Sequence, residues 1–362
     1  MSVPEISAAK GESAGKSLLP AAEARGRVEM LSTEFVSGWA AVQAGGGPAH
    51  VYAMLDGEVI GSGVASMGRL DLDTARQEGR LDARAFVLAF QRPVSLEAVR
   101  SIAVFVLGQS APLPQAKKLR IDRVPCLRLF LMGSPRSGTS QLGSTLTSVL
   151  ALPWLGEGHA APLFARAADA LSGNKNAENG MVRHVAREDY RQIAIEAARR
   201  AYFFMHGSAS FVDKTPGVPM IAAAPFLLEC FPDARFIFLR RNPVANISSR
   251  LVKFGGGFEQ HCQDWAAAMN EWLRVRMLLP HFVEIQQEDM LAAPQRVARV
   301  LAEYIGMPEV ADSIGKSLET DRMEHSGAGT GKTDGLEAGW SQDQLRVFER
   351  ICGAAMRAFG YG

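Results

Sequence analysis

The pattern of apolar and polar positions from Val28 to Leu113 predicts a small all-β unit. Short apolar or alternating runs, separated by Gly, Asp and Pro, are typical of strands. These runs are EFVSGWAAV, HVYAMLDGEVIGSGVA, AFVLAFQ and SIAVFVLG. Asp56-Gly57, between two such runs, is a hairpin signal. We therefore expect a small antiparallel, β-sandwich-like domain over residues 28–113.

The segments on either side of this unit lack such periodicity. Residues 114–125 lie within APLPQAKKLRIDRVP, which is rich in Pro and charge and predicts a linker. Residues 1–27 are polar and small and predict a disordered tail without the apolar core of a signal peptide. No apolar run approaches the roughly 20 residues that span a bilayer, so we expect a cytoplasmic protein without a transmembrane segment.

From residue 126 to residue 362 strands alternate with helices. The apolar runs LRLFLMG, FVDKTP, HFVEIQQEDM and Arg235 to Leu239 predict buried strands. Helical stretches are predicted from Thr139 to Leu150, Arg187 to Met205, His261 to Leu279 and Pro294 to Ile305, with another after Pro243. This alternation predicts an α/β domain with a central parallel sheet.

Three polar clusters follow the predicted strands. They are Ser134–Ser140, Asp213–Thr215 and Arg240–Ser249. Ligands of open parallel sheets bind at the carboxyl ends of the strands. The three clusters are therefore the candidate site.

Composition narrows the classes of partner. The chain has 362 residues, with 47% hydrophobic and 21% charged residues, which is ordinary for a globular protein. A net charge of +1 argues against nucleic acid as a partner. The four cysteines form no C-x-x-C pair, which argues against a zinc site or a disulfide framework and fits a reducing compartment.

The loop after the first α/β strand has the features of an anion site. Gly133 and Ser137–Ser140 allow a tight turn that leads into a helix, whose N-terminal N–H groups favour negative charge. Arg136 adds a guanidinium that can meet two oxygens at once. The nucleotide-triphosphate signature G-x-x-x-x-G-K-[ST] is absent, because no Lys follows Gly138. A strand–turn–helix connection without a ligand is the alternative for this stretch taken alone.

The cluster RRNPVANISS adds a second candidate. Arg241 is expected at a strand end, and Ser249 lies two turns into the next helix. Eight positions separate the two residues, so they need not share a helix face, yet both could converge on one phosphate. Taken alone, a surface arginine and a helical serine are the simpler interpretation.

Together, the motifs PRSGTS, DKTP and FPDARFIFLRRNPVANISS, in this order, resemble the P-loop-like sulfotransferases that use 3′-phosphoadenosine 5′-phosphosulfate (PAPS). The later FVEIQQEDML and the terminal GW…FGYG are also similar. The resemblance is to bacterial, tyrosylprotein and carbohydrate sulfotransferases, and it covers Leu127 to Gly362. It implies a three-layer, P-loop-like domain that transfers a sulfuryl group from PAPS to an acceptor hydroxyl, giving adenosine 3′,5′-bisphosphate (PAP).

The resemblance also implies roles for single residues. Arg241 and Ser249 match the pair that binds the 3′-phosphate, although the usual Arg-Asp-Pro reads Arg241-Asn242-Pro243 here. Sulfuryl carries less charge than γ-phosphoryl, so no metal is expected. The residues that match the loop for the 5′-phosphosulfate are Arg136, Ser137, Gly138, Thr139 and Ser140.

The expected general base is Glu157. It lies 21 residues after Arg136, a spacing that resembles that of the glutamate base of tyrosylprotein sulfotransferases. His159 is the alternative base, and both could instead be surface loop residues. Lys214 of DKTP is expected in the same cleft with a supporting role toward sulfate or acceptor. Asp213 is expected to pair with a cation.

The Gly-rich stretch SGAGTGKTDGLEAGW, from Ser326 to Trp340, invites a nucleotide-loop assignment. Ser326 stands where that motif requires Gly, and no apolar strand precedes it. A mobile loop is therefore the better interpretation. The resemblance implies that Lys332 contacts the phosphate side of PAPS, and a flexible surface loop is the alternative.

These motifs do not identify the acceptor. A hydroxyl on a carbohydrate or glycolipid is expected, because the β unit resembles small sandwich modules of bacterial glycan-active enzymes; a protein tyrosine or a small alcohol remains an alternative. Other function classes are a nucleotide kinase or P-loop NTPase, which would need the missing loop lysine, and a non-catalytic glycan-binding protein.

Overall fold

The computed structural model describes residues 25–43, 48–68, 72, 81–121, 126–153, 156–173, 187–320 and 339–361. The predicted tail, up to residue 24, and residues 326–338 of the Gly-rich stretch, which include Lys332, lie outside the described residues. No helix in the described part of the chain is long and apolar enough to cross a membrane.

The described N-terminal part is built from strands. They are β1 (Arg25–Leu31), β2 (Phe35–Gln43), β3 (His50–Leu55), β4 (Glu58–Val64), β5 (Leu81–Ala89), β6 (Ala103–Val106) and β7 (Gln115–Ile121). One sheet has the order β5-β2-β1-β7 and the other the order β4-β3-β6. Alternate residues of both sheets enter one buried apolar cluster, among them Val36, Val51 and Val104. At the β3–β4 hairpin Asp56 and Gly57 have φ of +50° and +84°, as an Asp-Gly turn requires.

The segment predicted as a linker, residues 114–125, contains a strand instead. β7 pairs in parallel with β1, so the N-terminal sheets are not wholly antiparallel. Leu119 and Ile121 pack against the apolar cluster, whereas Lys118 and Arg120 are exposed. The charged residues of β7 interrupt the apolar pattern from which a strand would be predicted. β7 is an edge strand, and charged side chains on an edge strand discourage pairing with another strand. The division of the chain into domains otherwise stays a prediction.

The remaining described chain alternates strands and helices. The strands are β8 (Arg128–Gly133), β9 (Phe211–Lys214), β10 (Arg235–Arg240) and β11 (Phe282–Gln286). The helices are α1 (Thr139–Val149), α2 (Ala160–Ser172), α3 (Arg187–His206), α4 (Val218–Ala222), α5 (Ala224–Cys230), α6 (Pro243–Phe254), α7 (Phe258–Val275), α8 (Gln287–Ala292), α9 (Pro294–Ile305), α10 (Ala311–Thr320) and α11 (Gln342–Ala358).

These four strands form one parallel sheet with the order β11-β10-β8-β9, which confirms the predicted parallel sheet. Every residue of β8 is buried, because helices cover both faces of the sheet. Phe130 and Phe236 enter the apolar cluster on one face, and Leu129 and Ile237 enter the cluster on the other. The sheet and the helices on its two faces form three layers. Because the four strands are parallel, their carboxyl ends lie at one edge of the sheet.

The two parts of the chain meet at the turn between β1 and β2. Glu34 accepts hydrogen bonds from Arg128, at the start of β8, and from Arg199 of α3. The ring of Phe35 stacks on Phe203 with centroids 4.5 Å apart. The start of β8 and α3 therefore contact the turn between β1 and β2.

Candidate active site

The loop after β8 is set by two glycines. At Gly133, with φ of +153°, an added Cβ would lie 2.3 Å from the carbonyl oxygen of Leu239 on the neighbouring strand, so only glycine fits. Gly138 precedes α1 with φ of +90° and places no side-chain cap on the helix. The first N–H groups of α1 therefore form a natural anion site.

Arg136, Arg241 and Ser249 come together on one side of this loop. The guanidinium Nε of Arg136 donates to the hydroxyl of Ser249 at 3.1 Å. The guanidinium of Arg241 donates to the carbonyl oxygen of Arg136 at 3.1 Å. Arg136 has a φ of +74°, a left-handed conformation that a non-glycine residue adopts at a cost in strain. The two sequence clusters thus converge, although they lie about a hundred residues apart.

The electrostatics of this group favour an anion. Burial lowers the pKa of Arg241, and the charge of Arg136 acts in the same direction, while the carboxylate of Glu288 opposes both. Two guanidinium groups held close together and partly removed from water are stabilised by a bound negative charge.

Asn242 accounts for the departure from Arg-Asp-Pro. Its side-chain oxygen accepts from the backbone N–H groups of Val244 and Ala245 and caps α6. Asn and Asp are equally good at this position. The backbone N–H of Asn242 also donates to Glu288 at 2.8 Å. The substitution therefore keeps the cap and removes one negative charge near the two arginines.

Asn246 joins the candidate site, although no motif in the sequence singles it out. It is fully buried, and its side-chain amide donates to the carbonyl oxygen of Pro135 at 3.0 Å and to the hydroxyl of Ser137 at 3.1 Å. Asn246 thus ties α6 to the loop after β8. The available signal was its position three residues before Ser249, which puts both on one face of α6.

Lys214, Glu157 and Ser140 form a second group at the start of α1. The ammonium of Lys214 lies 2.6 Å from Oε1 of Glu157 and 3.2 Å from the hydroxyl of Ser140. The side chain of Lys214 is only 6% exposed, whereas that of Glu157 is 39% exposed. His159 Nε2 lies 3.1 Å from the other carboxylate oxygen of Glu157. Glu157 thus lies between a buried ammonium and an imidazole, with access to solvent.

The structure gives Asp213 partners other than the expected cation. Its carboxylate accepts from the hydroxyl of Tyr202 at 2.6 Å and from the hydroxyl of Thr215 at 2.9 Å. Burial raises the pKa of Asp213. Asp213 therefore links the end of β9 to Tyr202 of α3 and to Thr215, and it makes no direct ion pair with Lys214.

Arg240 points away from both groups. Its guanidinium donates to the carbonyl oxygen of Phe359 at 2.7 Å and lies over the rings of Phe359 and Tyr361. It holds the end of the chain against β10. Arg241 and not Arg240 therefore faces the candidate site.

The other residues predicted to bind the 5′-phosphosulfate differ in their exposure to solvent. Ser137 and Thr139 are buried, and Ser140 is exposed. Lys332 lies outside the described residues, so its prediction is not tested. Within the described ranges no group of three or more His, Cys, Asp or Glu side chains is arranged to hold a metal ion.

The sulfotransferase family model matches residues 128–312, about half of the chain. The solved sulfotransferase domain from the curacin biosynthetic pathway is 20% identical, with a TM-score of 0.41, over 67% of this chain and 99% of that one. Sulfotransferase STF9 from Mycobacterium avium is 15% identical, with a TM-score of 0.43, over 66% of this chain and 78% of that one. Mouse sulfotransferase SULT7A1, solved with PAP, is 11% identical, with a TM-score of 0.35, over 64% and 84%. No curated protein matches the chain.

Proposed function

Because the chain belongs to the sulfotransferase family, we propose that it transfers a sulfuryl group from PAPS to a hydroxyl of a carbohydrate or glycolipid, releasing PAP and a sulfate ester. The family predicted from the motifs is confirmed, whereas the donor, the acceptor and the roles of single residues are part of the proposal.

One observation carries the proposal. Two groups of polar side chains flank the uncapped start of α1. Arg136, Arg241 and Ser249 form one group, and Lys214 joins Ser140 to Glu157 in the other. An anion held by α1 would therefore lie near two guanidiniums and near an ammonium that contacts a carboxylate.

This arrangement suits an in-line transfer between two oxygens. The acceptor oxygen forms a bond to sulfur while the bond from sulfur to the phosphate oxygen breaks, and PAP leaves with that electron pair. The carboxylate of Glu157 takes the proton of the acceptor hydroxyl. Lys214, Arg136 and the N–H groups of α1 stabilise charge on the leaving oxygen, a contribution of about 2.7–4 kcal/mol for one well-placed donor.

The group of Arg136, Arg241 and Ser249 would hold the 3′-phosphate. Ser249 accepts from Arg136 and keeps its own hydroxyl hydrogen to donate to a phosphate oxygen. Arg241 supplies the charge. Lys332 is proposed as a further phosphate contact on the strength of the family resemblance alone.

The carbohydrate acceptor is proposed from the N-terminal strands. Proteins that act on glycans often carry small β domains, and the described strands β1 to β7 form two sheets around one apolar cluster. An acceptor screen across glycans, glycolipids, phenols and tyrosine peptides, with radiolabelled PAPS, tests this choice. Sulfation restricted to phenols or peptides would contradict it.

The donor is tested by binding. PAP should bind tightly without a metal, and ATP should bind weakly with or without Mg²⁺, as measured by calorimetry. Arg241→Ala should abolish PAP binding, because it removes the charge proposed to meet the 3′-phosphate. Arg346→Ala serves as the matched control, since Arg346 is an exposed residue of α11 with a local partner, Asp343. A preference for ATP over PAP would contradict the proposed donor.

A further inference from the structure

We propose that Thr215 is a positioning residue for the candidate base: its hydroxyl fixes the backbone that carries Glu157. This inference rests on the proposed function. Thr215 belongs to a chain of buried hydrogen bonds that runs from α3 to the loop carrying Glu157, which we call the base loop. The proposed transfer step does not itself use these hydrogen bonds.

The hydrogen-bond chain begins at Tyr202, which is fully buried in α3. Its hydroxyl donates to one carboxylate oxygen of Asp213 at 2.6 Å. The hydroxyl of Thr215 donates to the other oxygen at 2.9 Å. Asp213 and Thr215 are each 2% exposed, so water does not compete for these bonds.

The direction of these hydrogen bonds determines which further bond the hydroxyl of Thr215 can make. Since its hydrogen points to Asp213, the hydroxyl oxygen is left to accept, and it accepts the backbone N–H of His159 at 3.3 Å. The carboxylate of Asp213 also lies against the loop, because a Cβ added at Gly158 would be 3.5 Å from both of its oxygens. The chain therefore ends on the backbone that follows Glu157.

This part of the loop needs such support. His159 has a φ of +50°, a left-handed conformation that persists in a non-glycine residue only where its surroundings hold it. The side chain of Glu157 is 39% exposed. Its contacts with Lys214 and His159 both depend on where the backbone lies.

Loss of this support should affect turnover and spare donor binding. The hydroxyl of Thr215 contacts Asp213 and the backbone of His159, and none of its described hydrogen bonds is to Arg136, Arg241 or Ser249. A misplacement of about 1 Å in a reacting group costs up to about 100-fold in rate. Thr215→Val removes the hydroxyl and keeps the shape of the side chain. We expect kcat to fall by about 10- to 100-fold, with the KM for PAPS and the Kd for PAP unchanged.

Two variants separate positioning from general stability. Thr215→Ser restores the hydroxyl and should recover most of the lost kcat. Thr145→Val is the matched control, because Thr145 is a fully buried threonine of α1 whose hydroxyl pairs with Ser317 at 3.2 Å, away from the base loop. It should cost stability in thermal unfolding and leave kcat unchanged.

The outcomes are distinct. Wild-type kcat in Thr215→Val, or equal losses in Thr145→Val and Thr215→Val, would overturn the positioning role and leave the proposed function intact. Absence of transfer by the wild-type protein would overturn the proposed function and this role with it. If Thr215→Val does not fold, Tyr202→Phe tests the other end of the chain. It should lower kcat in the same direction by a smaller factor, and an unchanged kcat would contradict the inference.

Discussion

The ammonium of Lys214 lies 2.6 Å from the carboxylate of Glu157 and also contacts Ser140 at the start of α1. A single buried cation thus joins the start of α1 to the candidate base. Since Lys214 is the last residue of β9 and Ser140 is in the first turn of α1, two rigid elements fix its position. The carboxylate that it holds remains accessible, as a base for an incoming hydroxyl must be.

The first prediction concerns this carboxylate. Glu157→Gln keeps the size of the side chain and removes its basicity. We expect kcat to fall by about 10²- to 10⁴-fold, the usual contribution of a general base, while the affinity for PAP is retained. Steady-state kinetics and calorimetry measure the two quantities.

His159→Asn is the matched comparison, because His159 lies on the other side of the same carboxylate. It should lower kcat far less than Glu157→Gln does. The reverse order of the two effects would transfer the role of base to His159.

Local signals made much of the fold predictable. Pro294 starts α9, and Gly306 ends it in a left-handed conformation, so the predicted range of Pro294 to Ile305 matches the structure. β8 and β10 were predictable because strands buried on both faces read as continuous apolar runs. In each case the information lies within a few residues.

Contacts between distant segments were harder to predict. The strand Gln115–Ile121 has too much charge to read as a strand, and its pairing with β1 depends on a segment nearly ninety residues earlier. Asn246 reads as an ordinary helical residue until the loop after β8 is placed beside it. Lys214 could be placed in the cleft because strand ends of a parallel sheet meet at one edge, but its contact with Glu157 could not.

The second prediction concerns the direct contact between Arg136 and Ser249. Arg136→Ala and Ser249→Ala should each weaken PAP binding. Because the two side chains touch, their effects should not add, with a coupling free energy of about 0.5–3 kcal/mol in a double-mutant cycle. Calorimetry on the four proteins measures this coupling. A cycle of Ser249→Ala with the exposed Arg346→Ala should be additive, and additivity in both cycles would show that Arg136 and Ser249 act separately.

The third prediction concerns the contact between the N-terminal strands and β8. Glu34 is nearly buried and accepts from both Arg128 and Arg199. Glu34→Gln removes this negative charge from both guanidiniums, although Arg128 keeps Asp233 as a partner. Breaking a buried ion pair costs up to about 3–5 kcal/mol. We expect a fall of this size in the free energy of unfolding, measured by urea denaturation. Glu58→Gln is the matched control: its partner Arg92 is exposed, and surface ion pairs contribute about 0–1 kcal/mol. Equal losses in the two variants would show that Glu34 is no buried anchor.

The fourth prediction concerns stability in acid. His206 is buried in α3 against the rings of Tyr202 and Phe211, and burial lowers the pKa of His206 to about 4. In the unfolded chain the imidazole has its ordinary pKa near 6.5. Between these values the unfolded state binds a proton that the folded state does not, so the free energy of unfolding falls as the pH is lowered from about 6.5 toward 4.

The full loss from this group is about 3 kcal/mol, since one pKa unit corresponds to about 1.4 kcal/mol. His206→Phe keeps an aromatic ring in the stack and cannot be protonated. Urea denaturation at a series of pH values should therefore show a weaker loss of stability in His206→Phe than in the wild type between pH 6.5 and pH 4. The exposed His281 supplies the control: His281→Gln should follow the wild-type curve. If His206→Phe follows it as well, the acid sensitivity has another origin.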